Sequence, residues 1–370
     1  MVSDKNISVV VQGAIEKELT YKCLLSVRKY LPGAEIVLST WKGSDVSCLS
    51  GLYDILVLNA DPGGFLFNAS TGQINNNNRM VLSTQEGLKR SRRKYTLKLR
   101  SDLVLKNNNI LKYTNDNYAR IKWYKLFKQR VVANNIFTFK FEAGEHGVRH
   151  YRPFHVSDWW FFGLTEDLRL LFDIPLGDEP ELSQYFLMRN MPESKYHRFP
   201  DAKWRFSPEQ YVQVECVRKH FKDIKFEHIL DYDEINIKQS EIFIVNNYII
   251  LSPQHSGIYP EKSRYKHYDY RKDLTVCDGI YTEQMWLCDY QRYCCSDYKM
   301  PFGCNWKETF KVNRYVDKLK KHCDNFVRPL KSILRRVHKF AEWLCEPFSI
   351  LYYAVKILLR VVVRFRRFFR

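Results

Sequence analysis

No G-x-G-x-x-G and no G-x-x-x-x-G-K-[ST] occurs at any strand-to-helix turn of this chain, which disfavours a dinucleotide dehydrogenase and a P-loop NTPase. There is no paired C-x2-C. The ten cysteines are scattered, and the cluster Cys288, Cys294, Cys295, Cys304 has spacing that gives little support to a zinc site. Residues 1–6 are polar and a β-branched run follows at once, leaving no room for a secretory signal, so reduced thiols in a cytoplasmic setting are expected. The most apolar late stretch, 347–363, is too short and too charged for an ordinary membrane span, which needs about 20 apolar residues. No internal repeat is present.

What the chain does have is charge and aromatic mass. Its 370 residues are 45% hydrophobic and 27% charged, a globular balance with length enough for a substantial core. Aromatics make up 15%, compatible with carbohydrate or lipid contact, although composition alone favours a Phe-rich and Tyr-rich core. A formal net charge of +18 points first to nucleic acid or an anionic membrane. Residues 326–370, however, carry eleven Lys and Arg against Glu342 and Glu346, so half the excess sits there. Within that tail Lys356, Arg360, Arg364 and Arg367 form a stripe at helical spacing. This describes a basic amphipathic helical tail lying on an anionic leaflet, or one docked on the rest of the protein.

Read in order, 7–11 (ISVVV) suits a buried parallel strand closed by Gln12-Gly13. A helix follows, with Thr20 as its cap and Leu24, Val27 and Leu31 in phase, stopped by Pro32-Gly33. Strands are expected at 35–38 and 52–58. The Asn run 75–78 caps another helix, and Arg79 in its first turn opposes the helix dipole, which suggests a nearby anion. That helix leads into 94–105, KYTLKLRSDLVL, read as a strand entering the core and delivering Asp102 to its C-terminal end. Strands alternating with helices argue for an α/β, mostly parallel Rossmann-like sheet flanked by helices, whose ligands lie in the crevice at the strands' carboxyl ends. Gln12, Gly13, Thr40, Asn78 and Arg79 fall near that edge and are nucleotide-contact candidates, although turn and cap geometry would place the same residue types there. Extended segments are expected over 131–141, 154–164 and 242–251, a helix start at Ser207-Pro208-Glu209, and a polar loop over 252–266 carrying His255. Residues 270–325 mix Tyr, Cys and charge without a legible fold.

The stretches ISVVVQG (7–13), SVRKYLPGAEIVLSTWKGSD (26–45), NNRMVLSTQEGLKRSRRKYTLKLRSD (77–102), HVSDWWFFG (155–163) and PEQYV (208–212) resemble the WavE family of bacterial lipopolysaccharide-synthesis proteins. The resemblance implies a GT-A-like glycosyltransferase over 1–270, with a nucleotide-sugar-binding half (1–106) and an acceptor half (107–270), then an extension (271–325) and the basic tail (326–370). GT-A enzymes commonly hold a divalent ion through D-x-D; the matching segment here is Arg100-Ser101-Asp102, so the first Asp is missing. Asp102 would then hold Mg²⁺ or Mn²⁺ alone, or Arg100 would itself pair with phosphate. Transfer from a nucleotide-sugar needs positive charge beside the leaving diphosphate and a base for the acceptor hydroxyl. Asp158 and Glu209 are the base candidates. Desolvation by Trp159 and Trp160 would raise the pKa of Asp158, and a helix N-terminus would lower that of Glu209.

The expected partners are the nucleotide-sugar, a lipid-linked or glycan acceptor, and the inner face of the cytoplasmic membrane through 326–370, with no nucleic acid. The rival readings are a basic nucleic-acid-binding protein without catalysis, and a nucleotidyl or phospho-sugar transferase on the same fold.

Overall fold

The computed structural model describes residues 2–114, 117–143, 149–187, 189–190, 204–262 and 279–297, all within one unit, Met1–Gly303. The tail expected over 326–370, and all of 271–325 except 279–297, lie outside the described residues.

The chain runs β1 (Ile7–Gln12), α1 (Lys17–Tyr30), β2 (Glu35–Trp41), β3 (Ile55–Asn59), a hairpin of β4 (Phe65–Asn68) and β5 (Gln73–Asn75), α2 (Asn77–Arg90) and β6 (Tyr95–Arg100). It continues through β7 (Leu103–Leu105), β8 (Val131–Asn134), β9 (Phe141–Ala143), β10 (Arg149–Tyr151), β11 (Trp160–Leu164), α3 (Thr165–Leu171), α4 (Pro208–His220) and α5 (Glu234–Asn247). The described part closes with β12 (Tyr248–Leu251), α6 (Pro253–Ser256), β13 (Ile258–Pro260) and α7 (Glu283–Tyr293).

Seven strands form one sheet in the order β12-β8-β11-β6-β1-β2-β3. All neighbours are parallel except β11, which runs antiparallel between β6 and β8. The mostly parallel α/β sheet expected from the sequence is therefore present. Strand order reverses at β1, because the chain moves outward to β2 and β3 and then returns to place β6 on the other side. At such a switch point the loops leave in opposite directions and open a crevice.

The β-branched run of β1 is wholly buried, as a central parallel strand requires. On α2 the close approach to the sheet is made at Gly87, where an added Cβ would stand 2.3 Å from Val10 Cγ1 and 3.3 Å from Ser39 Cβ. Alanine favours a helix by about 1 kcal/mol, but overpacking a filled core costs about 1–3 kcal/mol. The clash wins: Gly87→Ala should destabilise the fold by about 1–2 kcal/mol, read as a lowered midpoint in denaturant unfolding.

Several expected elements differ in detail. Thr20 lies inside α1, not before it, and still serves its start by accepting the Glu16 amide at 3.0 Å. Leu103 to Leu105 are buried as expected but do not continue β6; they pair antiparallel with β13 in a separate two-stranded sheet. The stretch 242–251 is not one strand. Asp233 caps a helix by accepting from the Asn236 amide, and only from Tyr248 onward is the chain extended. Its β-branched residues mimic a strand because this helix is buried at Phe243, Ile244 and Val245 against the sheet. The extended segments over 131–141 and 154–164 shorten to β8 and β11, each broken by a left-handed residue, Phe137 and Phe154.

Candidate active site

A cleft of about 650 Å³ lies at the carboxyl ends of β1, β2 and β6, within the size range of small-molecule sites. Gln12 and Gly13 form its floor. Gly13 adopts φ +121°, a conformation open to glycine, and its amide bonds the Ser39 carbonyl at 3.1 Å. Gln12 is held by Ser83 of α2, whose hydroxyl donates to its Oε1 at 2.7 Å. Trp41, Ile74, the Asn75–Asn77 run, Arg79, Met80 and Trp204 line it together with Arg100 to Asp102, Asp158, Pro208 and Lys262.

Asp102 reaches the cleft as expected, but it is buried, with 5% of its side chain exposed, and already partnered. Its Oδ1 accepts from Arg100 Nε at 3.0 Å and its Oδ2 from Arg100 Nη2 at 2.5 Å, while Lys262 Nζ stands 3.4 Å from Oδ2. The pairing of β7 with β13 explains the lysine: Pro260 is opposite Leu103, so the next two residues fall beside Asp102. Glu261 N bonds the Asp102 carbonyl, and Lys262 also pairs with Glu16. Burial pushes the Asp102 carboxyl up, yet the Arg100 charge and hydrogen bond, with Lys262, more than offset this and hold it below the usual carboxylate range.

The Arg100 guanidinium is further fixed under Trp159, 4.6 Å from the ring centroid. These residues do not fit a divalent ion. Both oxygens of Asp102 are committed to cations, Asp61 is bound by Arg79, and among the described residues no three His, Cys, Asp or Glu side chains gather into a metal-binding group.

Two further carboxylates, Asp158 in the same lining and Glu209 beside it, are brought together by the fold. Ser207 and Gln210 form a reciprocal capping box at the start of α4, and Gln210 Nε2 ties it to the Pro153 carbonyl at 2.8 Å. Glu209, also hydrogen-bonded at this helix start, lies beside Asp158, with 17% of its side chain exposed and His155 Nε2 at 3.8 Å. The expected lowering of its pKa is overturned. Burial, then the charge of Asp158, push the Glu209 carboxyl up to about 7, and hydrogen bonds at the helix start offset this only in part.

Asp158 itself faces the cleft half-buried, and its backbone carbonyl accepts from Lys98. Lys98 is fully buried in β6, where burial lowers its pKa to about 8. Strand alternation alone would have put it on a polar face; both faces of β6 are covered instead.

The remaining candidates divide. Arg79 lines the cleft, and the anion its position called for is Asp61, gripped through Nε at 2.8 Å and Nη2 at 2.7 Å. Thr40 is buried away from the lining; its hydroxyl lies 3.4 Å from Ser44, and its carbonyl accepts from Asn59. Asn78 is turned to the 177 loop, bonding both the carbonyl and the amide of Gly177. The helix start is served by Asn75, whose Oδ1 accepts the Asn77 amide. His255 is exposed and paired with Glu283. Lys262, Trp41, Trp204 and Lys98 were missed, and only Lys98, two residues before Arg100 in a central strand, offered a signal.

The family model described as WavE lipopolysaccharide synthesis matches residues 7–321. No curated protein matches the chain.

Proposed function

Because this chain belongs to the WavE lipopolysaccharide synthesis family, we propose that it is a GT-A-like glycosyltransferase. In this reading it moves a sugar from a nucleotide-sugar to a growing lipopolysaccharide or other surface glycan at the inner face of the cytoplasmic membrane. The observation that carries the reading is the pairing, in one cleft at the switch point, of a fixed cationic group (Arg100, Lys262) with Asp158, which has the carboxyl of Glu209 beside it. A leaving nucleoside diphosphate gains negative charge as its bond to the anomeric carbon breaks, and a preorganised guanidinium and ammonium stabilise that charge without reorganisation. Asp102 holds those two cations in place.

In the same lining Asp158 contacts the acceptor hydroxyl and takes its proton. Glu209 stands beside it, its own carboxyl held up to about 7 by burial and by the charge of Asp158. While Glu209 keeps its proton the pair already holds one and is a poorer acceptor of a second, so transfer should increase as Glu209 ionises with pH rising through about 7.

Incubating the purified protein with a panel of nucleotide-sugars and truncated lipopolysaccharide acceptors tests the assignment. One donor should yield a glycan longer by one sugar, with equimolar nucleoside diphosphate released. Release of pyrophosphate with the nucleotide transferred would assign the cleft to nucleotidyl transfer instead.

A further inference from the structure

The loop before β8 is built in an unusual way. Two fully buried asparagines at the end of α5 clamp its backbone: Asn246 accepts the Ile121 amide and donates to the carbonyls of Ile121 and Trp123 at 2.8 Å each. Asn247 accepts the amides of Leu126 (2.7 Å) and Phe127 (3.2 Å) and donates to the Tyr124 carbonyl at 2.6 Å. Tyr124 is held at φ +53°, a left-handed conformation unfavourable for a bulky residue. Its ring packs edge-on against Phe221 and its hydroxyl donates to Asp223.

This scaffolding displays Trp123 with 62% of its surface exposed, the Lys122 ammonium 5.0 Å from its ring centroid. Lys125, Lys128 and Lys222, the residue after Phe221, are exposed around it. The opposing charges are Glu166, paired with Lys128, and Asp223. Four lysines thus face two carboxylates around one tryptophan.

We propose that this loop docks the protein on an anionic lipid surface, with Trp123 entering the interfacial layer and the lysines meeting headgroup phosphates. Tryptophan with lysine is the composition of membrane–water interfaces, whereas lysine is depleted from protein–protein interfaces, which use arginine. A rigid loop loses little conformational entropy on docking, which is the use of the asparagine clamp. The surface is separate from the catalytic cleft. Strand β11 is antiparallel to both β6 and β8, so β6 and β8 run in the same direction, and the loop entering β8 lies at the sheet edge opposite the cleft. The contact is also additional to any made by the basic sequence over 326–370.

The test uses the full chain and vesicles of phosphatidylglycerol with brominated acyl chains, which quench tryptophan at the lipid surface. The wild-type protein should lose more emission than Trp123→Phe, and Lys122→Glu, Lys125→Glu and Lys222→Glu should each weaken vesicle binding about fivefold. Nucleotide binding should be unchanged in all four variants, which separates this proposal from the assignment of the cleft. Equal quenching of wild type and Trp123→Phe, or equal quenching in vesicles lacking anionic lipid, overturns it.

Discussion

Asp158→Asn is expected to lower turnover by about 10²–10⁴-fold while leaving nucleotide-sugar affinity nearly unchanged, because the amide cannot accept the acceptor's proton but fills the same space. Glu209→Gln should act differently. It fixes the neighbour in its uncharged form, so the activity that remains should be lower than wild type at pH 8 and lose the rise through about pH 7. Stability gives an independent reading of the same group. The folded-state pKa lies above the unfolded value of 4.5, so the folded protein holds this proton more tightly. The stability Glu209 contributes therefore falls as pH rises from about 4.5 to 7, and the cost of its buried charge is complete above that.

Glu209→Gln removes that cost, with an upper bound of roughly 3 kcal/mol. The variant should be more stable than wild type at pH 8, with the difference closing toward pH 5. Paired pH–rate and urea-unfolding series would check both halves. A variant that matched wild type in stability at pH 8 would show that Glu209 is not held at a raised pKa.

The second large effect concerns Arg100. Arg100→Ala removes charge-assisted hydrogen bonds worth about 1.5–3 kcal/mol, so affinity for a nucleoside diphosphate should fall roughly 10–100-fold. Arg100→Lys should recover only part of this, since an ammonium reproduces neither the fork that grips Asp102 nor the stack on Trp159. Asp102→Asn should weaken binding less than Arg100→Ala, because it loosens the cations without removing them.

How far the sequence led can be judged from these same residues. The α/β sheet was legible because β1 is a β-branched run closed by Gly13, β2 follows Pro32-Gly33, and β6 alternates Tyr95, Leu97 and Leu99 with Thr96, Lys98 and Arg100; Asp102 was legible because a carboxylate at the end of such a strand has few other reasons to be there. Its partners were not. Arg100 is two residues away, but Lys262 arrives only through the pairing of β13 with β7, a contact between segments some 155 positions apart that no local pattern encodes. The pKa of Glu209 was misjudged for a related reason. Its helix position is local and predicts a lowering, whereas burial beside Asp158 is tertiary and stronger. Asn78 and Thr40 were placed at the right edge, but their short polar side chains satisfy backbone groups of the neighbouring loops. The helix over 234–247 was lost because a buried helix and a strand share the same apolar composition when burial wraps most of the surface.

Calorimetric titration of uridine, cytidine, adenosine and guanosine diphosphates into the full chain in EDTA asks whether side-chain cations alone hold the leaving group. Binding of at least one nucleotide without divalent metal, weakened at least tenfold in Arg100→Ala, is the predicted result. Binding that requires Mg²⁺ or Mn²⁺ and disappears in Asp102→Asn would contradict it and make Asp102 a metal ligand.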